Sequence, residues 1–391
     1  MKKLLVMMLA VATVCACSPK EPGYVIKGQV GNVNGEAVLT YELPDGTPVE
    51  MTAPVKNGSF TFKGSVPDVV NGMLKVTPEG GQPTQASLYV ENAPLSVTIN
   101  PEKVVDYGQY GGLVYRDCKV AGGPNNDFAL ALDKAQDIAL TLDEYKDLAA
   151  DYKKLGEMGY TDMAAYQAAS QALQEKYADK MQGYSEVTQQ AIRECIEKYT
   201  DVEAAAIMYY RYNNQLPLDE FIAGFNRYSE KARESFLAKD AREEIAARKA
   251  TQPGAVAPDF TLNDLEGNPV TLSSLRGQYV IVDFWASWCK PCRAGMPAMK
   301  ELYAKYHKKG LEIIGVSDDT DHDAWKRAVE QDQTPWIHVV DEFPVENKPA
   351  RVGELYAVHY IPSYFLLDKE GKIIGKMEHE ELEAKLAELL D

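Results

Sequence analysis

Positive charge, cysteine and long apolar runs are all in short supply in this chain. Lysine and arginine number 41 against 58 acidic residues, a formal charge of −17 over 391 residues. Phosphate contacts need clustered Lys and Arg, so this balance points away from a nucleic-acid partner. Of the six cysteines, two lie in the N-terminal segment and only one later pair is close, Cys289 and Cys292. No second Cys/His pair stands at metal-ligand spacing, so the pair is at most half a zinc site and no metal or cofactor is expected. The apolar segment Leu4–Ala16 is too short for an ordinary membrane span. No low-complexity tract interrupts the chain, and its length suggests two or three domains with ample core.

What is present begins with an address. Lys2-Lys3 followed by Leu4–Ala16 reads as a signal peptide over residues 1–16. Val14-Cys15-Ala16-Cys17 resembles a bacterial lipobox, which implies lipidation of Cys17 and a turn-rich tether over 17–23. Ordinary signal cleavage is the alternative. The expected location is the periplasm, lipid-anchored to a membrane, with Ser18 favouring the outer one. In either case the mature chain works in the envelope, where disulfides persist.

The predicted fold class is multi-domain: an N-terminal β-sandwich, a helical middle region and a C-terminal α/β domain. Over 24–120, short alternating runs (24–30, 37–41, 59–62, 87–90 and 95–99) are separated by Asn34-Gly35, Asp45-Gly46 and Asn57-Gly58. No titratable cluster there suggests catalysis, and Tyr89, Tyr107 and Tyr110 read as packing residues. From about Asn125 to 250 the period becomes helical. Ile138, Leu142, Tyr145, Leu148, Tyr152 and Leu155 predict one long helix ended by Gly156 and Gly159. Tyr166 to Met181 predicts a second, and further helices are expected over 185–199, 201–213 and 218–249. Lys249 to Pro258 reads as a linker into the domain 254–391.

That domain carries the chemistry. Val280 to Trp285 is a short β-branched and aromatic run, a buried strand, and Cys289-Lys290-Pro291-Cys292 follows after a small turn. This places Cys289 at a helix N-terminus, where unpaired N–H groups and the dipole favour thiolate. Cys289 is the candidate nucleophile, and Lys290 adds nearby charge. Cys292, one turn on, can attack a mixed disulfide at Cys289. Trp288, Lys290 and Pro291, beside the two sulfurs, are candidate substrate contacts.

The run Val282-Asp283-Phe284-Trp285-Ala286-Ser287-Trp288-Cys289-Lys290-Pro291-Cys292 resembles thioredoxin. Ala257–Leu262 and Leu272–Gly277 are similar to the TlpA/ResA group of periplasmic thiol–disulfide oxidoreductases, and the resemblance covers about 254–391. It implies a thioredoxin fold with an inserted strand and helix around 336–356. It implies that Pro362 is a cis-proline facing the dithiol and presenting Ile361 to substrate, a trans turn proline being the alternative. By the same likeness Asp283 occupies the position of thioredoxin's buried aspartate and would take the Cys292 proton, unless it is a surface strand residue. Many TlpA/ResA-like chains carry a glutamate three residues after the second cysteine; here that position is Gly295.

The activity so implied is reduction of disulfides in envelope proteins, with electrons from a membrane thiol–disulfide donor. Two other classes are weighed. A peroxiredoxin shares the Ala-Pro-Asp-Phe pattern, but Ala286 replaces its usual threonine. A non-enzymatic binding or assembly lipoprotein would place the main work in the β domain. Of the remaining cysteines, Cys195 lies on an apolar helical stripe and Cys118 is read in a polar loop. A bond between them is left open.

Overall fold

The computed structural model describes residues 23–107, 112–158, 162–343 and 350–391. Cys17 with the signal segment and most of the tether, and also Tyr110 and Gly159, lie outside the described residues. The chain divides into two compact units. The first ends at Asn213 and takes in Phe225–Lys239; the second comprises Asn214–Gly224 and Asp240–Asp391.

The first unit opens with ten strands: β1 Tyr24–Val30, β2 Gly35–Glu42, β3 Pro48–Val55, β4 Ser59–Gly64, β5 Val70–Pro78, β6 Thr84–Val90, β7 Pro94–Ile99, β8 Val104–Asp106, β9 Leu113–Tyr115 and β10 Cys118–Ala121. They form a four-stranded sheet, β10-β7-β1-β4, and a six-stranded sheet, β3-β2-β5-β6-β9-β8. Alternation explains the sandwich. Phe60 and Phe62 of β4, Leu95, Val97 and Ile99 of β7, and Leu39, Leu74 and Leu88 of the other sheet share one buried cluster. Asn57 (φ 49°) and Gly58 (φ 76°) make the tight turn between β3 and β4, both in the left-handed region that a two-residue hairpin loop requires. At Gly28 a Cβ would lie within 1.8 Å of the Phe60 ring, so only glycine lets that ring cross β1.

Helices follow: α1 Pro124–Gln136, α2 Lys146–Met158, α3 Met163–Lys176, α4 Ala178–Lys198, α5 Glu203–Asn213, α6 Leu218–Phe225, α7 Glu230–Glu234 and α8 Lys239–Ala250. The single long helix expected through Ile138 and Leu155 is broken. Ile138–Thr141 and Asp143–Tyr145 are short 3-10 turns, and Leu142 between them is extended. The Thr141 hydroxyl donates to the Ile138 carbonyl at 2.7 Å, a local bond that competes with helix. Ile138 and Leu142, which set the apparent period, are exposed. Tyr177 separates α3 from α4, its hydroxyl donating to Asp151 at 3.0 Å. The run expected as one helix over 218–249 is three. Ser229 caps α7, and Ser235 donates to the Ala232 carbonyl just past that helix. Cys118 lies in a strand rather than a polar loop. The Cys118 and Cys195 thiols are free, and both are pushed up by burial, Cys118 to about 11.

The second unit has a seven-stranded sheet in the order β12-β11-β15-β14-β13-β16-β17. Its strands are β11 Thr261–Asp264, β12 Pro269–Thr271, β13 Tyr279–Trp285, β14 Leu311–Ser317, β15 Ile337–Val340, β16 Ser363–Leu367 and β17 Ile373–Met377. Its further helices are α9 Lys290–Tyr306, α10 His322–Asp332, α11 Arg351–Leu355 and α12 His379–Leu390. β13 is central, parallel to β14 and antiparallel to β16. Apolar clusters cover both faces, which is why β13 and β14 read as continuous apolar runs. β15 and α11 form the inserted strand and helix. The stretch read as a linker is stitched to β17: Gly254 N–H donates to Ile373 O, Ile373 N–H to Ala255 O and Ala257 N–H to Gly371 O.

Candidate active site

β13 ends at Trp285, and the turn 286–288 carries the chain into α9. Cys289 caps that helix with an extended backbone, and Pro291 sits in the first turn, where its missing N–H costs nothing. The Cys292 N–H points at Cys289 Sγ from 3.2 Å. The two sulfurs are joined in a disulfide. Both cysteines are buried, at 4% and 2% exposure, while Trp288 beside them is 62% exposed. Lys290 and Pro291 are exposed as well. Thus Cys289 combines an accessible rim with a helix N-terminus, whose unpaired N–H groups and dipole favour negative charge.

Across the cleft, the Ile361–Pro362 peptide is cis, and the Ile361 carbonyl oxygen lies 3.8 Å from Cys289 Sγ. Ile361 itself is half-buried and packs against the apolar clusters on both faces of the sheet. Tyr360, just before it, is 57% exposed, with Lys376 Nζ 4.4 Å from its ring centroid.

Asp283 sits mid-strand on β13, opposite Tyr364 of β16 and Gly315 of β14. It is 2% exposed, and its Oδ1 has no hydrogen-bond partner. Burial pushes its carboxyl up to about 7. The Tyr364 hydroxyl is raised above its ordinary range by burial, then by the Asp283 charge. A carboxyl in this setting can exchange a proton near neutrality, as a general base must. At Gly295, on the second turn of α9, an added Cβ would meet only the Tyr364 hydroxyl, at 3.8 Å.

Two supports escaped the sequence reading. Asp319, 1% exposed, follows β14 and accepts from Ser287 N–H at 2.8 Å, Ser287 Oγ at 2.6 Å and Ser317 Oγ at 2.6 Å. It pins the turn two residues before Cys289. Arg293, next after Cys292, donates to both carboxylate oxygens of Asp332 at 2.8 Å, tying the first turn of α9 to the end of α10. The polar triplet Ser317-Asp318-Asp319 after an apolar strand was the one available signal. Asp318 in the same triplet is raised to about 6, by burial and then by Asp341 and Asp319.

Among the described residues no group of three or more His, Cys, Asp or Glu could hold a metal ion. Among them, too, no helix is long and apolar enough to cross a membrane.

Known proteins resemble both ends of the chain. The AhpC/TSA family model matches residues 253–376, and a domain of unknown function, DUF4369, matches 24–128. The thiol-disulfide oxidoreductase ResA of Bacillus cereus is 40% identical over 150 residues, covering 37% of this chain and 83% of the relative. That of Geobacillus thermodenitrificans is 36% identical over 143 residues, covering 36% and 79%. A solved thioredoxin domain of a thiol-disulfide oxidoreductase from Bacteroides vulgatus is 35% identical, covering 36% of this chain and 99% of that one, with a TM-score of 0.34. With a bonded Cys289–Cys292 pair on a thioredoxin-like sheet and relatives of this kind, the chain belongs to the ResA-like family of thiol–disulfide oxidoreductases.

Proposed function

We propose that the chain reduces disulfides of envelope proteins through Cys289 and Cys292. The observation that carries the reading is the cysteine pair at the start of α9, with Cys289 Sγ 3.8 Å from the Ile361 carbonyl. In the reduced enzyme the Cys289 thiolate attacks one sulfur of a client disulfide. A Cys289–client bond forms, the client S–S bond breaks, and the first client thiolate leaves and takes up a proton. Cys292 then gives its proton to Asp283, and its thiolate attacks Cys289 Sγ. The second client thiolate departs and is protonated. Two electrons and two protons have passed to the client, and the Cys289–Cys292 disulfide remains.

In this reading the client lies as a short extended segment against Ile361, with Trp288, Lys290 and Pro291 at its rim. Pro291 before Cys292 supports the reductant direction. The potential is expected nearer thioredoxin's, about −270 mV, than the roughly −120 mV of a strong oxidant. A membrane thiol–disulfide donor restores the dithiol, and lipid on Cys17 holds the enzyme to the membrane. The lipobox-like run supports that anchor, and Cys17→Ser is expected to release the protein from washed membranes or leave it as precursor.

Trapping tests the chemistry. Cys289→Ser should abolish insulin-disulfide reduction, while Cys292→Ser should still attack and accumulate a mixed disulfide at Cys289. Equal trapping by the two single variants would contradict the assignment. Peroxide-dependent turnover is expected to be absent.

A further inference from the structure

α8 lies upstream of the residues matched by the redox family model, which begins at 253. It nonetheless bears on the cleft. Glu244 of α8 is a carboxylate at 7% exposure, and a buried carboxylate is costly without partners. Its Oε1 lies 3.0 Å from His359 Nε2 and 3.9 Å from Arg248 Nε. A carboxylate facing an imidazole nitrogen at that distance accepts, so His359 donates from Nε2.

His359 stands two residues before Ile361, in the segment that joins α11 to β16. That segment has no regular structure, and Ala357 at its start adopts a left-handed φ of 50°. Its local ties include Ala357 N–H to Glu354 O at 3.0 Å, Val358 N–H to Gly353 O at 2.9 Å, and Ser363 Oγ to Tyr360 O at 2.8 Å. Glu244 supplies a long-range hydrogen bond to His359, 115 residues away in sequence. α8 is itself anchored on another side. Arg248 donates to Asn214 O at 3.2 Å and to Leu216 O at 2.7 Å, and its guanidinium lies 5.8 Å from the Phe221 ring centroid. All these residues belong to the second unit.

We propose that α8 is a working part of the redox site. Glu244 is a positioning residue: through His359 it holds the backbone of Ile361 where a client segment pairs beside Cys289. This rests on the reading of Ile361 as the client-facing strand. A small disulfide needs only Cys289 and no strand pairing, so the tie acts on protein substrates selectively. Glutamine at 244 can still accept from His359 Nε2 through its amide oxygen, so Glu244→Gln keeps the tie and Glu244→Ala removes it.

The test uses the full chain with Glu244→Ala, Glu244→Gln, His359→Ala and the double alanine variant. Steady-state reduction is measured on insulin and on a small aromatic disulfide, dithiobis-nitrobenzoate. Each single alanine variant is expected to raise KM for insulin about fivefold and leave the small disulfide within twofold, as the loss of one charged hydrogen bond allows. Glu244→Gln should stay near the parent on both substrates, and the double variant should be no worse than the poorer single one. Multiplying effects in the double variant, or equal losses on the two substrates, would overturn the inference. His359→Ala, in an exposed segment, carries the test alone if Glu244→Ala does not fold. Trp288→Ala separates the two readings. If it raises the insulin KM while the Glu244 and His359 variants do not, the α8 inference fails by itself. If it too leaves insulin unaffected, the docking reading fails first.

Discussion

Both units bury carboxylates, and Glu91 of the first and Asp283 of the second are treated in opposite ways. In the first, Glu91 is 6% exposed and accepts from four donors: the backbone N–H and the side-chain amide of Asn125 and of Asn126. Glu203 accepts from the same Asn125 amide and pairs with Lys231, while Asn125 Oδ1 takes the Ala204 N–H at 2.8 Å. This network closes the N-termini of α1 and α5, where negative charge and acceptors are most wanted. In the second unit Asp283 is buried as deeply, yet its Oδ1 has no partner and burial lifts the carboxyl to about 7. A buried acid surrounded by donors holds structure. One left short of donors keeps its proton within reach of neutrality, at a cost in stability, and so can serve chemistry.

Removing the satisfied acid should have the largest effect. Glu91→Ala leaves four donors at the start of α1 without their acceptor in a closed site. The loss is expected at about 3–5 kcal/mol of unfolding free energy. Glu91→Gln turns an amide NH2 toward those donors and should also destabilise. Gly123, the N-cap of α1, has no side chain to take over those donors. Urea denaturation of the full chain checks this. A loss under 1 kcal/mol would erase the contrast between the two sites.

These two sites differed equally in how far the sequence disclosed them. Asp283 sits in a run whose neighbours Ile281, Val282 and Phe284 announce burial, six residues before Cys289. The Glu91 network joins residues 91, 125, 126 and 203, and no local pattern links them. The same division holds for the fold. β1, β4 and β7 alternate cleanly and were visible. β5 was not, because Gly72 occupies an inward position that the Val90 side chain fills, with a Cβ at 72 only 2.6 Å from Val90 Cγ2. β3 carries Pro48 and Pro54 on a sheet edge, where proline is tolerated but hides the strand from propensity. The helix expected through Ile138 failed because spacing alone does not report a threonine hydroxyl taking a helix carbonyl. At the site, the cysteine pair is legible from spacing. Asp319 and Glu244 act across 32 and 115 residues and are not.

Asp283→Asn tests the other side of the comparison. The amide keeps shape but accepts no proton, so Cys289 should still attack while resolution of the mixed disulfide slows by about 10–100-fold. Stopped-flow resolution kinetics read this directly. Stability should move the opposite way to Glu91. The folded carboxyl titrates near 7 against 3.8 for the free group, so the folded state binds the extra proton between those values. Parent stability therefore falls as pH rises from about 4 to about 7, and the penalty is complete above that. The oxidised Asp283→Asn protein should match its parent near pH 4 and exceed it at pH 8 by a few kcal/mol. Parallel stability curves for the two proteins would mean that Asp283 is ionised without penalty.

The smallest expected effect is the most specific. Asp283 and Tyr364 are directly opposed on β13 and β16, so their side chains share one face of the sheet. Tyr364 belongs to the same buried cluster as Cys289 and Cys292, and its hydroxyl lies 3.8 Å from where a Cβ at Gly295 would stand. Beyond the adjoining stretch of α9 itself, no other heavy atom comes within 4 Å of that point, so a side chain can enter there. Gly295→Glu in the Asp283→Asn background thus places a carboxylate on α9, three residues past Cys292, beside the hydroxyl that faced the lost acid. It should recover the resolution rate about two- to fivefold and no further, because a half-exposed glutamate is better solvated and a weaker base than buried Asp283. Replacing a helix-interior glycine by glutamate or glutamine also gains roughly 0.5–1 kcal/mol of helix stability. Gly295→Gln in the same background is therefore the control: it shares that gain and offers no proton acceptor. Recovery by glutamate and not glutamine, increasing with pH as the new carboxyl ionises, identifies proton transfer as what Asp283 provides. Equal recovery by both would assign the effect to helix rigidity and leave water as the acceptor.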